Sequence, residues 1–259
     1  GAKVTVFNIE SRILKREEPI VQELANEYLT EQGITILNDV TLNSVSNDSN
    51  KPVITANGQN YTFDAVLYAT GRKPNTANIG LENTDITTNE RGAIVVNDTC
   101  ESSVPGVYAV GDVNGGPQFT YISLDDFRIV FGALTGNGQY TLKDRKNIPY
   151  TTFLTPPLAR VGLTEEDAIN KGYTVKTKEM LVATMPRAHV NDYLKGAFKI
   201  VVDADNDLIL GATLYAQGAE ELINLIKIAM DNNIPYTYFK NQIFTHPTMA
   251  ENLNDLCNF

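Results

Sequence analysis

A strand–helix–strand unit opens the chain and restricts what can follow it. Val4 to Phe7 is a short, apolar, β-branched run that reads as a buried strand. Glu17 to Gln32 reads as a helix, with Ile20, Leu24 and Tyr28 at helical spacing and Gly33 as the stop. Ile34 to Leu37 is the next strand. Three β segments follow, Val40 to Val45, Pro52 to Ala56 and Thr62 to Thr70, with turns at Asn47–Asn50 and Asn57–Gly58. A β-α-β unit that runs into a small meander and returns to a buried strand predicts a Rossmann-type nucleotide domain. Such a domain opens on a strand and a Gly-x-Gly-x-x-Gly turn, and the chain contains no such triplet. The first strand of a doubly wound sheet is also central. The expectation is therefore that the chain is the C-terminal portion of a longer protein.

The texture changes twice along the sequence. Gly71-Arg72-Lys73-Pro74-Asn75 is a loop, and Gly92–Asn97 and Gly106–Val110 are strand-like. A helix is predicted from Tyr121 to Leu134, ending near Gly136. From about Asn147 the strands Tyr150–Leu154, Tyr173–Thr184, Gly196–Asp203 and Leu208–Tyr215 are predicted, with a polar hairpin turn over Asp203–Asp207. Helices are predicted at Thr164–Lys171, opened by a Thr164-to-Asp167 capping box, and at Ala219–Asn232, with Leu222, Leu225, Ile226 and Ala229 as its apolar face. A last helix starts after Pro247. The fold class expected is α/β and α+β: partial Rossmann-type domains followed by an antiparallel sheet with helices on one side.

Composition removes several classes of function. Thirty-one acidic residues against 21 basic ones give a formal charge of −10, which disfavours a nucleic-acid partner. No apolar run approaches the roughly 18 residues of a membrane span, so no membrane partner is expected, whereas the cysteine usage points to a cytoplasmic protein. Cys100 and Cys257 stand alone, with no Cys-x-x-Cys or Cys/His cluster, so a metal site and a disulfide framework are not expected. Reduced thiols are.

Two segments carry chemistry. In His246-Pro247-Thr248-Met249-Ala250-Glu251 a carboxylate follows a histidine across a proline that forbids a simple helix through both. A carboxylate holding one imidazole nitrogen leaves the other free to move a proton near neutral pH. The bland alternative is a turn followed by a helix with an acid in its first turn. In Val110-Gly111-Asp112 an aspartate stands just past a predicted strand, where open α/β sheets bind ligands, and Gly111 allows close approach of the backbone. A turn-capping aspartate is the simpler alternative. His189, in a polar segment, is read as a solvated loop residue.

Read in order, these segments resemble the pyridine nucleotide–disulfide oxidoreductases, the flavoenzyme family of glutathione reductase, dihydrolipoamide dehydrogenase and mercuric reductase. Ala69-Thr70-Gly71-Arg72-Lys73-Pro74-Asn75 is similar to the family's link from its NAD domain back to its FAD domain. Val104 to Asp112 is similar to its second FAD fingerprint, Phe153 to Glu165 to the opening of its interface domain, and His246-Pro247-Thr248-x-x-Glu251 to its closing motif. The resemblance implies a C-terminal part of an NAD(P)-binding domain over 1–69, a C-terminal part of an FAD-binding domain over 70–147, and a dimerisation domain over 148–259. It implies hydride passing from NAD(P)H to FAD, and electrons then passing to an active-site disulfide and a small-molecule oxidant or disulfide substrate. His246 would be the acid–base residue, oriented by Glu251 and supplied across a homodimer. Asp112 would hold the flavin's ribityl chain, with Gly71, Arg72, Gly111 and Pro247 beside the cofactor. The helix after Thr120 would aim its positive end at the flavin. A cis peptide bond is expected before Pro247.

The departures from the family pattern bear on this. The redox cysteine pair and both glycine-rich turns are missing, and Cys100 and Cys257 do not fall on the motif. The end of the domain's second strand, where the family commonly has an acid for the adenosine 2′-hydroxyl, carries Asn8, with Glu10 nearby, and Arg12 could serve a 2′-phosphate. NADH and NADPH both stay open. Gln118 to Val130 and Met185-Pro186-Arg187-Ala188 resemble most the bacterial branch near mercuric reductase that resists reactive chlorine species or hypothiocyanite. Two alternatives remain: a dimerisation module without activity of its own, and an NADH oxidase or CoA-disulfide reductase, against which His246 and Glu251 count. The chain alone is expected neither to hold FAD tightly nor to turn over substrate.

Overall fold

The opening strand–helix–strand unit forms as predicted, but its first strand is not buried: Val4 is 43% and Val6 37% exposed, because only one edge and part of one face of the strand are covered in this chain. The computed structural model describes residues 1–259. β1 (Thr5–Phe7) pairs in parallel with β2 (Thr35–Leu37), and α1 (Pro19–Glu31) connects them. Pro19 stands at the first helical position, where its missing N–H costs nothing. β3 (Leu42–Asp48), β4 (Lys51–Ala56) and β5 (Gln59–Thr62) make an antiparallel meander around Val40, Ile54 and Ala56. Thr62–Thr70, expected as a buried strand, is irregular beyond Thr62. Leu67 is 90% exposed, and the run finds no strand in this chain to pair with. An unpaired extended segment has no ladder to satisfy its backbone groups.

Residues 67–146 form a compact unit of their own. Its one long element is α2 (Thr120–Thr135). Gly92–Asn97 and Gly106–Val110, expected as strands, form no ladder: their β pairing is limited to isolated bridges, Thr88 to Ile94 and Glu101 to Tyr108. Their turn-forming neighbours, such as Asn89 and Asn97, take up the nearby N–H groups instead.

The other compact unit joins residues 1–66 to 147–259. Its centre is a five-stranded antiparallel sheet in the order β6–β7–β10–β9–β8. The strands are β6 (Tyr150–Thr152), β7 (Leu158–Gly162), β8 (Val175–Leu181), β9 (Ala197–Asp203) and β10 (Ile209–Tyr215). β7 was not anticipated, and the predicted strand Tyr173–Thr184 is shorter, ending in a turn of 3-10 helix over Val182–Thr184. Every residue of β9 is buried. α5 (Ala219–Asp231) packs Leu222, Ile223, Ile226 and Ala229 against the sheet, while Leu225, expected on that face, is exposed. Each large apolar side chain buried there contributes roughly 1.5–3 kcal/mol. α3 (Glu165–Asn170) opens on the predicted capping box, with the Asp167 N–H donating to Thr164 Oγ1 at 3.1 Å. Short helices α4 (Pro186–Val190), α6 (Tyr236–Asn241) and α7 (Asn252–Leu256) complete the unit. His189 therefore lies on a helix, not in a loop, and its exposed ring meets the Ala183 carbonyl at 2.8 Å.

α1 covers the sheet through Val21, Ala25 and Tyr28, which pack with Leu158 and Tyr215. The Gly196 N–H donates to the Tyr28 hydroxyl at 2.9 Å. Gly196 has φ +120°, and a Cβ there would fall 1.7 Å from the Tyr215 carbonyl oxygen, so only glycine fits. Nearby, buried Lys199 reaches Glu18 and Glu179 at 3.0 Å and Glu165 at 2.7 Å. Burial opposes its charge, but the hydrogen bonds it donates to the three carboxylates outweigh that and raise its pKa.

Candidate active site

The closing segment runs from α6 to α7 through a turn fixed by proline. The His246–Pro247 peptide bond is cis, as is Thr155–Pro156. After the turn the chain enters α7, and Glu251 folds back on the histidine. Its Oε2 lies 2.7 Å from His246 Nδ1, and its Oε1 accepts the Thr248 N–H at 3.1 Å. The Glu251 N–H returns a bond to Thr248 Oγ1 at 3.2 Å, and the Thr248 hydroxyl donates to the Thr245 carbonyl. The Pro247 carbonyl accepts from Arg187 at 3.4 Å. The hydrogen bond from His246 holds the Glu251 carboxyl below its usual range, and the Thr248 N–H adds to the effect. An ionised carboxylate only accepts, so Nδ1 carries the proton of this bond and neutral His246 presents Nε2 as a free acceptor. The ring is exposed, with 69% of the side chain accessible, whereas Glu251 is largely covered. This arrangement can take up and return a proton at a surface.

In the 67–146 unit, Gly111 and Asp112 lie in a turn of 3-10 helix, Gly111–Asn114, at the end of the Gly106–Val110 segment. Asp112 is exposed, and its carboxylate makes no hydrogen bond or ion pair. Gly111 has φ +73°, and a Cβ there would fall 2.6 Å from Ser123 Oγ, so the turn sits directly against α2. Thr120 is the first residue of α2. No side chain caps that end and no acid lies in its first turn, so no carboxylate of the turn offsets the positive end of the helix dipole. Gly71, with φ +106°, and Arg72 are exposed in irregular chain, and the Arg72 guanidinium makes no hydrogen bond or ion pair. A free carboxylate, a glycine cradle and an uncapped helix start fit a ligand with hydroxyl groups and an anionic edge.

Asn8 and Arg12 follow β1. Asn8 Nδ2 donates to the Glu10 carbonyl at 2.9 Å and to Asn38 Oδ1 at 2.8 Å, so the amide clasps the ends of β1 and β2. Arg12 is exposed, 3.8 Å from Glu23, and both line an open hollow of about 190 Å³ with Ile13, Gln22, Asn26 and Asn38.

Known proteins share these segments. Residues 1–126 match the family model described as pyridine nucleotide-disulphide oxidoreductase, and residues 148–257 match that family's dimerisation domain. The chain belongs to the pyridine nucleotide-disulphide oxidoreductase family. It is 42% identical over 256 residues to a probable pyridine nucleotide-disulfide oxidoreductase, RclA, of Escherichia coli, covering 99% of this chain and 58% of the relative. A mercuric reductase of Staphylococcus aureus is 35% identical, with 98% of this chain and 47% of the relative covered. Among solved structures, a HOCl-induced flavoprotein disulfide reductase, RclA from Escherichia coli, superposes with a TM-score of 0.94 at 42% identity, over 99% of this chain and 59% of that one. The chain thus spans about half to three-fifths of the length of these relatives.

The sequence pattern did not reveal one group beside the Gly111 turn: Asn114, Asp126 and Arg145, joined through the Asp126 carboxylate. The signal was present in α2. Ile122, Asp126 and Ile129 recur at helical spacing as its buried stripe, and a charged residue on such a stripe demands a partner.

Proposed function

We propose that the chain supplies the C-terminal part of an FAD-dependent NAD(P)H:disulfide oxidoreductase, in which His246 and Glu251 form the acid–base pair. When bound, the flavin supplies hydride acceptance from NAD(P)H and electron delivery to a redox disulfide. This chain's residues bind and orient around that chemistry. Asp112 accepts hydrogen bonds from the flavin's polyol chain, Gly111 gives its backbone room, and Gly71 and Arg72 flank the cofactor. The α2 start at Thr120 favours negative charge on the flavin. Asn8 and Arg12 face the adenosine end of NAD(P)H. Residues 1–69, 70–147 and 148–259 belong to the NAD(P), FAD and dimerisation domains in turn. The match of 148–257 to a dimerisation domain supports a homodimer in which the pair serves a neighbouring subunit. Unpaired Cys100 and Cys257 agree with a reducing, cytoplasmic setting.

The observation that carries the reading is the 2.7 Å His246–Glu251 bond with the ring exposed. His246 accepts a proton from an attacking thiol as the new S–S bond forms and returns it to the thiolate expelled from the broken disulfide, while Glu251 fixes the tautomer and stabilises the imidazolium. The test uses the protein that carries this chain, assayed for NAD(P)H-dependent disulfide reduction. His246→Ala should lower kcat by roughly 10²–10⁴-fold with bound FAD unchanged. Turnover within twofold of the parent would remove His246 from the chemistry. A parent that binds no flavin would remove the whole reading.

A further inference from the structure

Asp126 is a carboxylate with no exposed surface, set in the middle of the apolar stripe of α2. A charge this deep is retained only where its lone pairs are filled. Oδ2 accepts the Gly111 N–H at 2.7 Å and Asn114 Nδ2 at 2.9 Å, gripping the first and last residues of the turn that carries Asp112. Oδ1 takes Arg145 Nη2, and the Nε of Arg145 pairs with Asp125 Oδ2 at 2.7 Å. Asn114 Oδ1 in turn accepts the Gly116 N–H at 3.0 Å, which continues the bonding into the loop that leads to Thr120. Three residues before Asp126 on the same helix, Ser123 touches Gly111 so closely that no Cβ would fit between them. The turn therefore meets α2 at two points, one a contact and one a charge-assisted hydrogen bond.

We propose that Asp126 is a positioning residue for flavin binding, locking the Asp112 turn to the start of α2 so that both present to the cofactor as one rigid body. This rests on the reading of Asp112 and Thr120 as flavin-binding. Asp125 supplies the contrast. It shares Arg145 with Asp126 but makes no bond to the turn. A purely structural ion pair predicts similar effects from neutralising either carboxylate; a positioning role predicts a difference.

The experiment compares Asp126→Asn, Asp125→Asn, Asn114→Ala and Asp112→Ala in the protein that carries this chain. It reads FAD affinity by reconstitution, the flavin absorbance and fluorescence spectrum, and the thermal midpoint. Asp126→Asn keeps the size but cannot accept from both the turn and Arg145. It should weaken FAD by about tenfold and perturb the flavin spectrum, as expected for loss of a charge-assisted hydrogen bond. Asp125→Asn should leave both near the parent value. Asn114→Ala, which removes half of the Oδ2 clamp without burying a new charge, should move both readouts in the same direction as Asp126→Asn. It decides the matter if the Asp126 variant does not fold. Equal weakening by the two aspartate variants, or parental affinity and spectrum in Asp126→Asn or Asn114→Ala, overturns the proposal. Asp112→Ala tests the reading beneath it. If that variant holds FAD as the parent does, the flavin assignment fails and the positioning role with it. If it loses FAD while Asp126→Asn keeps it, the positioning role alone fails.

Discussion

His246 and Glu251 work as a unit because each constrains what the other can do. The carboxylate occupies Nδ1, the Thr248 N–H occupies the second carboxylate oxygen, and what remains is a single exposed nitrogen. The two cysteines are the opposite case. Burial pushes the Cys100 thiol up to about 11 and the Cys257 thiol up to about 12. A raised thiol pKa keeps the protonated form at neutral pH, and the thiol form is the unreactive one. Native protein at pH 8 should therefore leave both thiols unlabelled by a disulfide reagent, and denaturant should release both. Rapid labelling of either in the native state would contradict the burial described. The His–Glu pair was legible in the sequence because its partners are five positions apart. The Asp126–Arg145 pair was not, because its partners are 19 apart and only the packed unit brings them together.

The strands and helices divide in the same way. α1, α2 and α5 were legible because each repeats its apolar residues over three or more turns. β7 was missed as a five-residue run that follows two prolines and ends on Gly162, and α4 and α6 are too short to show a period. Thr62–Thr70 failed for another reason. Its composition suits a strand, but strand formation depends on a neighbour, and a sequence pattern does not report one. The joint between α1 and the five-stranded sheet was also invisible. Lys199, 5% exposed on β9, is held by Glu18 at the head of α1, Glu165 on α3 and Glu179 on β8. Lys199→Ala leaves Glu18, itself 2% exposed, as a buried carboxylate without its cation. The loss should cost about 3–5 kcal/mol, read as a lower denaturation midpoint. A change under about 0.5 kcal/mol, the range of ordinary surface substitutions, would show that the cluster is not a joint.

Across the molecule, the family and the fold rest on segments spread from residue 1 to residue 257 and kept in one order. No helix is long and apolar enough to cross a membrane. The proposed division of labour is physical. The 67–146 unit offers a free carboxylate and an uncapped helix start to a cofactor, and the unit containing the sheet offers an exposed imidazole to a thiol. These roles separate in time, which gives the most direct test. Stopped-flow absorbance of the protein that carries this chain can follow its reduction by NAD(P)H and its reoxidation by a disulfide as two half-reactions. With His246→Gln, the reduction rate should stay within about twofold of the parent, and the reoxidation rate should fall by roughly 10²-fold or more. If reoxidation keeps its parental rate, or if both half-reactions slow together, His246 is not the proton carrier for the disulfide step.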